Sequence, residues 1–115
     1  MFELGSFAAI DAEEPFAGVL KRSFDAEGAT VTEYRFEPGA SFPLHRHEQE
    51  QITLVEEGRI SMRIGSEEHE MGPGTWSVVG ASVEHGITAV DAARFLAIVM
   101  PRRKVRDEYE LSADA

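Results

Sequence analysis

Short stretches of alternating apolar and polar residues, broken by glycine or proline, run along most of the chain. Val31 to Glu37 sets Thr32, Tyr34 and Phe36 against Val31, Glu33 and Arg35. Gln51 to Glu56 sets Ile52 and Leu54 against Gln51, Thr53 and Val55, and Arg59 to Ile64 sets Ile60, Met62 and Ile64 against Arg59, Ser61 and Arg63. A period of two is the pattern of strands with distinct faces. Further strands are expected at Val19 to Ser23, Ser41 to His47, Glu67 to Met71, Trp76 to Val79, Val83 to Thr88 and Arg94 to Met100. Pro43 confines its strand to a sheet edge or an irregular start. Asp25 to Gly28, Pro38-Gly39, Gly65-Ser66 and Gly72-Pro73-Gly74 read as turns, and Glu57-Gly58 as a hairpin. Residues 1–15 lack a period and read as a loose N-terminal arm with a short strand around Phe7 to Ile10. A body of strands follows, and a C-terminal tail over 102–115 completes the chain, the tail forming a short strand or one or two helical turns. No long helical period competes, so the expected fold class is an all-β sandwich or barrel.

Composition narrows the function. A chain of 115 residues is the length of a single domain. It has no cysteine, which removes a disulfide framework and thiolate metal sites and fits a reducing, cytoplasmic location. No apolar run approaches a membrane span, and Met1-Phe2-Glu3-Leu4 does not open a signal peptide. A net charge of −10 speaks against nucleic acid as partner and for a dispersed, soluble protein. Arg102, Arg103, Lys104 and Arg106 hold four of the 11 basic residues. Their first reading is a solvated charged segment; the sharper one is an arginine folded back over a barrel mouth.

The candidate chemistry lies between Gly39 and Gly58. His45 and His47, two apart in an extended segment, share a face, and Gln51 has the same parity. With His85 they form a candidate four-ligand set for a divalent metal, for which nickel, zinc, manganese and iron all accept imidazole. A neutral Gln oxygen leaves the ion's charge uncompensated, which favours Lewis acidity and anionic ligands at some loss of metal affinity. His69, among Glu67, Glu68 and Glu70, reads as a surface residue. Trp76, Phe95 and Met62 read as core or pocket wall, and Arg46 and Glu84 as pointing away from the metal.

These residues resemble the two motifs of the cupins. Gly39, His45, His47 and Gly58 match the first motif, with Gln51 in the place of its Glu. Gly74 and His85 match the second, with Gly80, Ser82 and Ala89 in place of its Pro, Gly and Asn. The resemblance covers roughly residues 16–101 and implies a double-stranded β-helix, or jelly-roll barrel. Within the family, His45 to Thr53 is similar to the His-x-His-x-x-Glu-Gln run of small cupins from pectin and alginate breakdown. Those cupins turn 4,5-unsaturated monouronates into linear ketouronates, using an Asp on the last strand and an Arg after a Pro. Ala97 stands at the Asp position here, and Arg103 or Arg106 at that of the Arg. Small cupins often pair through N-terminal strands. The arm's Phe2, Leu4, Phe7 and Ile10 point the same way, to a homodimer whose arm covers the partner's sheet edge.

Three functions follow. The first is a metal-dependent isomerase or lyase-type enzyme for a small anionic sugar acid. Parity puts Tyr34, Thr53, Met62 and Arg103 in its pocket, with Tyr34 as acid or base and Arg103 gripping a carboxylate. The second is a metal-dependent dioxygenase. The third is a non-enzymatic small-ligand binder or sensor, lined by Val55, Ile60, Met62, Ile64, Ala97 and Val99.

Overall fold

The computed structural model describes residues 2–105 and 108–112. Among them the strands are β1 (Glu13–Phe16), β2 (Val19–Asp25), β3 (Thr30–Phe36), β4 (Ser41–Arg46), β5 (Glu50–Glu57), β6 (Ile60–Ile64), β7 (Glu67–Met71), β8 (Trp76–Val79), β9 (His85–Ala89), β10 (Ala93–Met100) and β11 (Glu110–Leu111). They form two antiparallel sheets, ordered β1-β2-β3-β10-β5-β8 and β11-β4-β9-β6-β7. This is the all-β architecture that the alternation implied, in the jelly-roll form that the family resemblance implied.

The inward residues of the larger sheet lie in cross-strand rows. Lys21, Tyr34, Phe95 and Val55 form one row. Ser23, Thr32, Ala97, Thr53 and Ser77 form the next, and Thr30, Val99, Gln51 and Val79 a third. The first row anchors the core: Tyr34 stacks on Phe95 at 5.0 Å, and both rings meet Phe36 edge-on. Phe95 is fully buried, a contribution of ~1.5–3 kcal/mol for a side chain of its kind. The second row is small and hydroxyl-bearing. The third carries Gln51 toward the facing sheet, where β4 and β9 set His45 opposite His85.

Several local expectations change in three dimensions. Phe7–Ala9 is a 3-10 turn, not a strand, and Phe7 packs on Phe24 of β2. The arm is ordered at its end, because Glu13–Phe16 pairs with β2 as an edge strand. Glu57-Gly58 is not a hairpin: β5 pairs with β10 and β8, and β6 lies in the other sheet. A turn signal is local and does not say which strands pair. Gly58 instead carries the chain between sheets with φ at +75°, where a Cβ would collide with the Ala92 carbonyl oxygen. Trp76 is not core; it is 65% exposed on the outer face of β8. Arg103 is not part of a solvated run, for it is buried while Arg102 and Lys104 are exposed.

Candidate metal centre

β4 delivers His45, the loop after it delivers His47, and β9 delivers His85. The register shift in β4 between Phe42 and His45, at Pro43, brings His45 opposite His85. One ring nitrogen from each of the three buried imidazoles lies within 4.8 Å of the others. Each Nδ1 faces a backbone carbonyl: His45 donates to Pro43 at 2.8 Å, His47 to Gln49 at 3.0 Å and His85 to Val83 at 2.9 Å. Those carbonyls assign the proton to Nδ1 and leave the Nε2 lone pair facing inward.

Gln51 completes the set. Its Oε1 lies 3.0 Å from His47 Nε2 and 3.3 Å from His85 Nε2. Its Nε2 donates to Thr53 Oγ1 at 3.1 Å, which fixes the amide with its oxygen toward the rings. Burial, the first cause for all three rings, lowers the pKa of His47, of His45 to about 3 and of His85 to about 4. Neighbouring rings and the Arg103 charge lower them further. At neutral pH the imidazoles are therefore uncharged. Four lone pairs, three nitrogen and one oxygen, then converge with no proton among them. That donor set fits a divalent cation.

The C-terminal tail lies over these ligands. β11 pairs with β4 at His45 and Arg46. Tyr109 sits against His45 and Phe42, at ring separations of 5.7 and 5.2 Å. Arg103 donates its backbone N–H to the Thr30 hydroxyl at 2.9 Å. Its guanidinium hydrogen-bonds Tyr34, whose phenol pKa is pushed up by burial and drawn partly back by that charge. The alternative arginine, Arg106, lies outside the described residues.

The four candidate ligands His45, His47, Gln51 and His85 are thus brought together, with Thr53 behind them, while Arg103 meets Tyr34 and its charge acts on all three rings. Arg46 and His69 are exposed. Glu84 turns away from the rings and accepts a hydrogen bond from Ser112. Gln49 and Lys21 are buried polar residues to which the motifs do not point. Gln49 is 2% exposed and donates to Glu108, tying the tail to the loop that carries His47. Lys21 is 1% exposed. Its parity with Val19 is the signal the sequence offers.

The model of the family described as a cupin domain (Cupin_2) matches residues 32–99. The chain belongs to the cupins. KdgF from a Halomonas species has 23% identity and a TM-score of 0.76, over 81% of this chain and 89% of its own. The polyketide cyclase RemF from Streptomyces resistomycificus has 24% identity and a TM-score of 0.78, over 99% and 89%. Bacillus subtilis oxalate decarboxylase, a protein with Mn(II) centres, has 19% identity and a TM-score of 0.84; the match takes in 93% of this cupin and 31% of the decarboxylase. At these identities the likeness is one of fold. No curated protein matches the chain.

Proposed function

We propose that this cupin holds a divalent metal ion on His45, His47, Gln51 and His85 and acts on a small anionic sugar acid of the unsaturated-uronate kind, isomerising or linearising it. The observation that carries the reading is the set of four unprotonated donors with a buried arginine beside them. The ion is nickel, zinc, manganese or iron. When bound it supplies Lewis acidity toward a carbonyl or hydroxyl oxygen. Arg103 grips the ligand carboxylate, since guanidinium and carboxylate match in shape and charge. Tyr34, with its raised pKa, is protonated at neutral pH and serves as the proton donor. Thr53 keeps Gln51 oriented, and the tail with Tyr109 limits water at the rings.

The test is to load the protein with each metal in turn and follow loss of the conjugated-alkene absorbance of unsaturated uronates. Turnover with at least one metal is expected; none with any of them overturns the uronate reading. Elemental analysis of protein purified without chelator accompanies it. Zinc alone would remove the dioxygenase alternative, because zinc has no redox chemistry.

Ala97 favours a second reading, a binding or sensor cupin. It faces Thr32 and Thr53 in the hydroxyl row and brings no carboxylate there. Ligands found by thermal shift, with no turnover of any of them, would favour this reading.

Phe2 and Leu4 stay 84% and 91% exposed, beside a groove of about 730 Å³ between the arm and the end of β2. That apolar surface supports a homodimer in which the arm covers the partner's sheet edge. Light scattering of the full chain and of a form lacking residues 1–10 tests it; a monomeric full chain at high concentration overturns it. Among the described residues no helix is long and apolar enough to cross a membrane. The cysteine-free composition supports the reducing cytoplasm as the place of action.

A further inference from the structure

Of the four candidate ligands, His47 alone stands on no strand. His45 lies on β4, Gln51 on β5 and His85 on β9, where sheet pairing fixes the backbone. His47 belongs to the loop between β4 and β5, and its ring is oriented from within that loop. Its Nδ1 donates to the Gln49 carbonyl at 3.0 Å, two residues on. The Ser82 N–H donates to the His47 carbonyl at 2.8 Å. That bond fixes the start of the loop, not the carbonyl that the ring uses.

The end of the loop is held by the C-terminal tail. Gln49 is 2% exposed, and its Nε2 donates to Glu108 Oε1 at 3.0 Å. Among the described residues its Oε1 has no partner, so Glu108 is what holds the side chain. The other Glu108 oxygen accepts the Lys104 N–H at 2.6 Å. Glu108 itself stands between two fixed points of the tail. Arg103 donates its N–H to Thr30, and Glu110 pairs with Arg46. A carboxylate shared between the tail's own backbone and a buried amide fastens one to the other. Without it the Gln49 amide N–H groups would be buried with no acceptor, a cost that a loop relieves by turning the amide to water. The Gln49 carbonyl would move with the side chain. His47 would then lose the acceptor that keeps the proton on Nδ1 and the Nε2 lone pair inward.

We propose that Glu108 is a positioning residue of the metal centre, acting through Gln49 on the orientation of His47, so that the docked tail sets how tightly the ion is held. The inference rests on the metal reading above and adds to it a residue of the tail. The link is specific to one ligand, because His45 and His85 take their Nδ1 acceptors, Pro43 and Val83, from other segments. A merely structural clasp would loosen the site as a whole, and its loss would weaken binding whichever ligand had been removed.

The probe is zinc, titrated into the apo full chain in competition with a chromogenic chelator. Glu108→Ala should weaken zinc binding ~10-fold or more, as for loss of an outer-shell partner. Gln49→Leu removes the same bond from the other side and should give a similar loss, and the double variant should lose no more than either alone. The background decides the assignment. In His47→Ala, adding Glu108→Ala should leave zinc affinity nearly unchanged. In His85→Ala, its effect should persist in full. Losses of similar size in both backgrounds, or unchanged affinity in the otherwise native chain, overturn the assignment while leaving the metal reading in place. Should Glu108→Ala fail to fold, Gln49→Leu in the same two backgrounds decides the matter. A wild type that binds no zinc overturns both.

Discussion

Thr53 accepts the amide N–H of Gln51 at 3.1 Å, and that one bond turns the Gln51 carbonyl oxygen toward His47 and His85. Thr53 is itself fully buried in the hydroxyl row of β5. Replacing it with Val keeps the shape and removes the acceptor. Metal affinity should fall ~10–100-fold, as is typical when an outer-shell partner of a ligand is lost. Thr53→Ser should retain it. Competition with a chromogenic chelator measures both; equal affinity in Val and wild type would show that Gln51 is oriented by something else.

Gln51→Glu separates ligand from wall. As a ligand, a carboxylate at the same reach should bind the ion more tightly and lower its Lewis acidity. Metal content should rise and turnover should fall. As a wall residue, the new carboxylate would be buried, and the apo form would melt earlier with no gain in affinity. Calorimetric metal titration and apo melting curves of both forms distinguish the two.

The histidine pKa values set an acid limit on the metal-free fold. His45 and His85 are lowered from 6.5 to about 3 and about 4 by burial. The unfolded chain therefore binds more protons than the folded one between pH 6.5 and those values, so stability falls as pH falls through that window. At pH 5 the loss is on the order of 1–2 kcal/mol for each ring. Melting temperatures of apo wild type and His85→Ala, taken from neutral pH to pH 5, should converge on acidification. Parallel curves would refute a neutral, buried His85.

Ala97→Asp tests the missing carboxylate. Ala97 is flanked by Thr32 and Thr53 in register, so an Asp there finds hydroxyl donors. Some stability is lost, about 1–3 kcal/mol for an imperfectly satisfied buried polar group. If the uronate reading holds, turnover of unsaturated uronates should rise at least tenfold. A metal-loaded, folded variant with unchanged turnover would remove position 97 from the reaction.

Gly58→Ala addresses the fold alone. The added Cβ meets the Ala92 carbonyl oxygen at a backbone φ of +75°. Two penalties coincide there, left-handed strain and a backbone collision, together ~3 kcal/mol or more. Urea unfolding should show that loss with the metal ligands untouched. A loss under ~1 kcal/mol would mean that the loop yields easily.

The alternation of residues determined by itself that the chain is all β, because side-chain parity is a property of the local backbone. Parity along one unbroken strand predicts one face for His45, His47 and Gln51, but β4 ends at Arg46, His47 lies in the loop, and Gln51 reaches the site from β5 in the facing sheet; the motif spacing, which also included His85, named the residues that the two sheets bring together. What parity could not decide was strand partnership. Glu57-Gly58 has the composition of a hairpin, yet the chain there crosses between sheets, since pairing is set by packing over long separations. Trp76 is apolar enough for the core, but its parity on β8 puts it outside, opposite Leu54 on β5. Arg103 sits in a run of like charges, and only the tail's path over the barrel buries it against Tyr34. Lys21 is hidden for the same reason. A charge on an inward face is costly unless other groups surround it, and those groups, Glu13 and Tyr34, reach it through strand register rather than along the chain.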